Sequence, residues 1–382
     1  MQYRLVGDTG IEVSALGIGT MRFKSKENAA EMIERELELG LTYFDIGSAY
    51  SFKSFDENAE TWVGAAIADK DRSKMVLSAK AQPRPGEPRV EAGLGISTRD
   101  QMWQCIENSL KRVGTDRFDF YQLWDMSAPE HFSAACVGAD SPLTAMREAR
   151  DQGLVGHLGF TTHAGPELVI EWLKQVPDFR SITVYYNFND RHPEQAVEYA
   201  RQNGVGVAIM GPLRGGLLTG ESAVFAEHLP ELAGLPVQEI ALRFLLSSPA
   251  VSTVLSGMNE IAHLEQNAAV ASLETPMTPE QRERFIEAFR EFSGGEAFCT
   301  ACNYCAGKCP EGLPISHLMT LWQLGGLLRL ATMTGQIVAL KGNEAQHPSK
   351  CVACDTCVEA CPQNLPIPDR MERLVALIEE LS

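Results

Sequence analysis

Eight of the ten cysteines in this 382-residue chain fall into two runs of one spacing. Cys299, Cys302, Cys305 and Cys309 form the first, Cys351, Cys354, Cys357 and Cys361 the second, and Pro310 and Pro362 follow the last cysteine of each. Three thiolates at this spacing wrap one face of an iron–sulfur cube, while a fourth, set further on before a proline, ligates a second cube. The spacing therefore predicts two [4Fe-4S] clusters, one on Cys299, Cys302, Cys305 and Cys361, the other on Cys351, Cys354, Cys357 and Cys309. A pair of zinc sites would use two C-x-x-C pairs each and leave the third close cysteine and both prolines without a role. Disulfides need an oxidising compartment. The start, Met1-Gln2-Tyr3-Arg4, lacks the apolar run of a secretory or lipid-attachment signal, so a cytoplasmic location is expected. Cys105 and Cys136 read as ordinary buried or half-buried thiols.

A hydrophobic content of 45% supports a large buried core, and the length calls for one large and one small domain. A formal net charge of -17 argues against a nucleic-acid partner, which needs a basic face. The longest apolar stretch, 318–340, is interrupted by Gln323, Arg329 and Gln336 and reads as a buried helix pair, not a membrane span.

Up to about Phe292, short β-branched or apolar runs alternate with amphipathic helical patterns. Strands are predicted at 15–19, 42–46, 75–79, 118–123, 155–160, 182–185, 205–210 and 252–255, with a helix after each. Eight βα units are the arithmetic of a TIM barrel, an α/β fold whose chemistry sits on the loops that follow the strands. The opening Tyr3 to Val13, turning at Asp8-Thr9-Gly10, reads as a hairpin across the barrel floor. Residues 1–292 are assigned to the barrel. After the link Ser293-Gly294-Gly295, residues 293–382 read as a small α-helical ferredoxin-like domain, with two helices between the cysteine runs and a last amphipathic helix over 369–381.

Several stretches resemble the aldo-keto reductases: Leu16-Gly17-Ile18-Gly19-Thr20-Met21, Tyr43-Phe44-Asp45 with Tyr50 after it, Ser78-Ala79-Lys80, Asn108 through Asp116, Gly211-Pro212-Leu213-Arg214-Gly215-Gly216 and Leu255-Ser256-Gly257-Met258. With the cysteine runs appended, the chain is similar to the branch of that family carrying a C-terminal ferredoxin-like domain with two clusters. The resemblance implies that Tyr50 is the general acid that protonates a carbonyl oxygen. It also implies that Lys80 lowers the Tyr50 pKa and that Asp45 balances Lys80. Trp124 stands where the family has a histidine. An indole donates one hydrogen bond and cannot relay a proton, so Asp125 and His163 are the substitutes to consider.

For a nicotinamide, the resemblance puts Thr20 and Met21 after the first strand and Thr161, Thr162 and Thr183 at the carboxamide. Met210 takes the place of the stacking aromatic, and Gly211, Pro212, Leu213, Gly216, Ser256, Gly257, Gln266 and Asn267 line the pyrophosphate and adenine side. His263 occupies the position where NADPH users favour arginine, so NADH is expected over NADPH. A nicotinamide moves electrons in pairs and a cluster moves them singly. The expected activity is therefore an iron–sulfur oxidoreductase acting on a small carbonyl or hydroxyl compound, fed by the clusters, by NAD(P)H, or by both, with a redox partner protein as a further source. Two other readings are an electron-transfer subunit that uses the barrel as a docking body, and a redox-neutral lyase or isomerase with structural clusters.

Overall fold

The computed structural model describes residues 1–84, 86–292, 298–299, 303–361 and 363–381, so Ser293-Gly294-Gly295, Cys302 and Pro362 lie outside the described residues. The chain forms two compact units. The first takes Met1–Tyr186, Arg191–Pro212 and Leu245–Pro276, and the second takes Asn187–Asp190, Leu213–Phe244 and Met277–Ser382.

In the first unit a hairpin of β1 (Tyr3–Leu5) and β2 (Glu12–Ser14) precedes β3 (Leu16–Gly19), β4 (Tyr43–Asp45), β5 (Val76–Ala81), β6 (Phe118–Leu123), β7 (Val155–Thr162), β8 (Phe179–Tyr185), β9 (Gly206–Met210) and β10 (Thr253–Ser256). β3 to β10 are parallel and close into a barrel with β10 against β3, the TIM architecture expected from the alternating pattern. The hairpin brings Val6 and Val13 into one buried cluster with Tyr43 and Phe120, and Val76 packs against it. Tyr43 and Val76 begin their strands, so the hairpin seals the end where the strands start. Its turn needs Gly7, whose φ is +55° and where a Cβ would stand 2.2 Å from the Gly204 carbonyl oxygen.

The helices have local causes. In Arg99–Val113, the Thr98 hydroxyl accepts the Gln101 N–H at the start, and left-handed Gly114 closes the end. Arg112 of this helix donates to Glu60 at 2.5 Å, and both side chains are buried. The 108–116 stretch is thus a scaffold clamp. The segment between β6 and β7 contains the helix Pro129–Cys136. Pro129 starts this helix, since a first-turn proline loses no hydrogen bond, and Phe132 anchors it by stacking on Trp172 at 5.6 Å.

On the helix Lys26–Glu38, Glu36 is fully buried, and neither carboxylate oxygen has a hydrogen-bond partner among the described residues. Burial pushes its pKa up from 4.5 to about 8. A carboxyl raised on folding is harmless below its unfolded pKa and costs stability as pH climbs toward the folded value. Glu36→Gln is therefore expected to stabilise the protein by about 3 kcal/mol at pH 7 and by almost nothing near pH 4. Denaturant melts across that range check this, and parallel pH slopes for the two proteins would refute it.

The second unit is built on an aromatic core. Phe225 stacks on Phe285 at 5.6 Å, and Phe188 meets both edge-on. The apolar stretch forms the helix Ile315–Leu321, a π-helical turn Trp322–Leu327 and the helix Ala331–Ala339. Gly325 lets the last two pack, since a Cβ there would stand 2.3 Å from Ile337. Among the described residues, no helix is long and apolar enough to cross a membrane.

Candidate functional site

Strand register sets the first group of residues. Asp45 ends β4 opposite Ser78, and Lys80 lies further along β5 opposite Gln122. The Lys80 ammonium reaches both Asp45 carboxylate oxygens, at 2.6 and 2.5 Å, and the pair is almost fully buried. Burial works to lower the Lys80 pKa, but Asp45 and Tyr50 together outweigh it and hold the amine above its ordinary value. Lys80 is a fixed cation.

Tyr50 sits on the loop after β4. Its N–H donates to Gly47 O at 3.0 Å and its carbonyl accepts the Ala59 N–H at 2.9 Å, while the Asn58–Thr61 capping box starts the next helix. The ring folds back over Gly47, where any Cβ would come within 2.7 Å of it. The Lys80 ammonium lies 5.1 Å from the centre of the Tyr50 ring, and Trp124 meets that ring edge-on at 5.5 Å. Tyr50, Lys80, Asp45 and Trp124 therefore form one cluster. Burial raises the Tyr50 pKa, Lys80 pulls it down, and the net direction is up from 10.0. Lys80 acts in the expected direction, but desolvation outweighs it and leaves Tyr50 a neutral donor across the physiological range.

The histidine's substitutes are otherwise engaged. Asp125 is ion-paired to Arg84 at 2.7 Å and accepts the Ser127 hydroxyl at 2.7 Å. His163 is exposed and lies against Tyr185, ring centres 5.3 Å apart. Inside the barrel, Gln122 donates to the Ser78 hydroxyl at 2.7 Å and accepts the Thr183 hydroxyl at 2.9 Å. Thr183 thus spends its proton on the protein. Thr162 does the same toward Met126 O at 2.5 Å, whereas Thr161 only accepts, from the Asp125 N–H at 2.8 Å. Of the three threonines expected at a carboxamide, Thr161 alone keeps an uncommitted hydroxyl proton among the described residues.

On the nucleotide side, the Thr20 hydroxyl is tied to Asp45 O at 3.0 Å, Met21 is exposed and Met210 half-buried. The Tyr185 ring lies on left-handed Gly211, 2.2 Å from where a Cβ would be. Sequence reading missed this aromatic because its chain position belongs to another strand. Pro212 is buried, the Ser256 hydroxyl accepts the Asn267 amide at 3.2 Å, and Gly257 and Gln266 are exposed. Leu213 and Gly216 fall in the second unit. The loop after β3 supplies cations that linear reading overlooked. The Arg22 side chain packs over Gly257, 2.7 Å from its Cβ position, and Lys24 pairs with Glu260 at 3.5 Å.

In the second unit, Cys299, Cys305 and Cys361 line one cavity with Ile315, Met319 and Leu365. Thiols around a dry, compact space suit an iron–sulfur cube. No three Cys, His, Asp or Glu side chains among the described residues close to the spacing of a single metal ion. Cys357 is buried, and its pKa is pushed up to about 11 by burial, then by the nearby Cys351, Cys354 and Cys305. Cys354 is exposed and held low by the Thr356 hydroxyl and backbone, and Cys309 is half-buried.

The aldo/keto reductase family model matches residues 15–288, and a 4Fe-4S binding domain model matches 346–366. An uncharacterized oxidoreductase of Bacillus subtilis, YqkF, is 25% identical over 71% of this chain and 92% of its own. The L-galactose dehydrogenase of Arabidopsis thaliana is 24% identical over 76% of this chain and 95% of its own. The holo form of an aldo-keto reductase from Bacillus halodurans superposes with a TM-score of 0.63 at 26% identity, covering 75% of this chain and 96% of that one. The closed barrel, the buried lysine–carboxylate pair beside a tyrosine and these matches lead to one assignment: the chain belongs to the aldo/keto reductase family of oxidoreductases and carries a 4Fe-4S domain of ferredoxin type toward its C-terminal end.

Proposed function

We propose that this protein reduces or oxidises a small carbonyl or hydroxyl compound, with Tyr50 as the proton donor. The observation that carries the reading is the buried Asp45–Lys80 pair, with the Lys80 ammonium over the Tyr50 ring. Converting a carbonyl to a hydroxyl consumes two electrons and two protons, one ending on oxygen and one on carbon; the carbon-bound hydrogen arrives with the hydride when a nicotinamide is the donor and from solvent when the electrons arrive singly. Tyr50 delivers a proton to the carbonyl oxygen, and Lys80, fixed by Asp45, stabilises the negative charge that develops there. Trp124 walls the site and can donate one hydrogen bond. The clusters, when bound, supply electrons one at a time, and a nicotinamide supplies them in pairs.

The reading takes 1–292 as the catalytic barrel and 293–382 as the domain holding two clusters. The clusters feed the barrel, and NAD(P)H is an optional second source. Thr162 and Thr183, with hydroxyls already spent, weigh against a strong carboxamide site. Arg22 beside Gly257 weighs against a strict preference for NADH. A pure electron carrier would need neither a proton donor nor a buried lysine.

The ligand sets give a direct test. Cys361→Ser and Cys309→Ser are each expected to remove one cluster, roughly halving iron and sulfide content, because each takes the fourth ligand from a different cube. Variants that keep the full iron content with an unchanged electron paramagnetic resonance (EPR) spectrum of the reduced state would overturn the two-cluster assignment.

A further inference from the structure

We propose that Arg214 is the built-in counter-charge of the cluster ligated by Cys299, and that it holds this cluster's reduction potential above the value it would otherwise have. The inference rests on the reading of Cys299 as a ligand. Arg214 is 7% exposed and donates through Nη2 to the Cys299 carbonyl at 3.1 Å and to the Thr320 hydroxyl at 3.3 Å. The N–H of the same residue is gripped too. The Cys299 N–H donates to Gln323 Oε1 at 3.0 Å, and Gln323 Nε2 donates to Asn189 Oδ1 at 2.7 Å. Gln323 is fully buried and belongs to the π-helical turn, a distortion that recurs at functional sites.

Two features of Arg214 ask for an anion. Among the described residues, no carboxylate pairs with its guanidinium and Nη1 has no hydrogen-bond partner. A buried charge left without a counter-charge is destabilising. Its backbone is also held at φ +49°, a left-handed conformation that a non-glycine residue keeps only where the surroundings impose it. A cube bound by thiolates is a net anion and becomes more negative on reduction. A fixed cation beside its ligand favours the reduced form and so raises the potential.

The test uses the full-length, cluster-loaded protein in an EPR-monitored redox titration, after iron and sulfide content are measured. In Arg214→Met, one cluster is expected to become harder to reduce. At its wild-type midpoint its oxidised-to-reduced ratio rises about tenfold, about 59 mV for a one-electron couple, while the other cluster is unchanged. Arg214→Lys, which keeps the charge, stays within about twofold of wild type. Full iron content with both midpoints unmoved in Arg214→Met overturns the proposal, as does an equal shift in Arg214→Lys. If Arg214→Met loses the cluster, a wild-type midpoint in Arg214→Lys sustains the proposal, and cluster loss there too assigns Arg214 to folding and overturns it. Cys299→Ser separates the levels: retention of both clusters in that variant removes the ligand reading itself.

Discussion

Tyr50→Phe is expected to lower turnover of the protein's carbonyl substrate by about 10²–10⁴-fold, the range for loss of a positioned general acid, while cluster content and thermal stability stay at wild-type levels. The ring remains, so its edge-on contact with Trp124 at 5.5 Å and its place under Lys80 are kept. Only the proton is lost. Because burial raises the Tyr50 pKa above 10.0, the active, protonated form persists through neutral pH. The wild-type rate should fall only on the alkaline side of the ordinary phenol range, a limb absent from the residual activity of the phenylalanine variant. Anaerobic steady-state kinetics from pH 6 to about 11 read both features. A variant with wild-type turnover would remove Tyr50 from the chemistry.

Lys80→Met should be the more damaging change to the molecule as a whole. It strands the carboxylate of Asp45, a residue 6% exposed, without its cation, and breaking a buried pair from one side costs about 3–5 kcal/mol. The double variant Asp45→Asn with Lys80→Met removes both charges, so it should recover most of that stability and none of the activity. The raised Lys80 pKa sets the pH window. The pair's contribution is complete below 10.5, the free amine's value, and is lost only as pH rises through the higher folded-state value. Denaturant melts of the three proteins at neutral pH test the ranking. Equal losses in the single and double variants would mean that the pair is not the source of the cost.

The residues that announced themselves in the sequence are those whose spacing is local. The cysteines of each run sit within a few residues of one another, and Asp45 and Lys80 lie at predicted strand ends where the family resemblance gives them roles. Residues whose roles depend on distant partners stayed hidden. Glu36 looks like one more helix-surface acid until packing buries it, and Gln122 gains meaning only when register sets it between Ser78 and Thr183. Arg214 stands in a glycine-rich turn with nothing nearby in the chain to explain it; its partners, the Cys299 carbonyl and the Thr320 hydroxyl, are remote. Lys80 lowers the Tyr50 pKa as expected, but the net direction is up, because charge neighbours are visible from strand spacing whereas desolvation is a property of the packed site.

The central claim, that the clusters supply the reducing power for chemistry at Tyr50, is tested most directly by comparing cluster-loaded and cluster-stripped protein, each supplied with a one-electron donor (reduced methyl viologen) or, separately, with NADH, and a carbonyl compound that the loaded protein reduces, under anaerobic conditions. The expected result is turnover in the loaded protein and its loss on stripping, with circular dichroism showing the barrel still folded. Stoichiometric NADH oxidation with that substrate by folded, stripped protein at the loaded rate would contradict it.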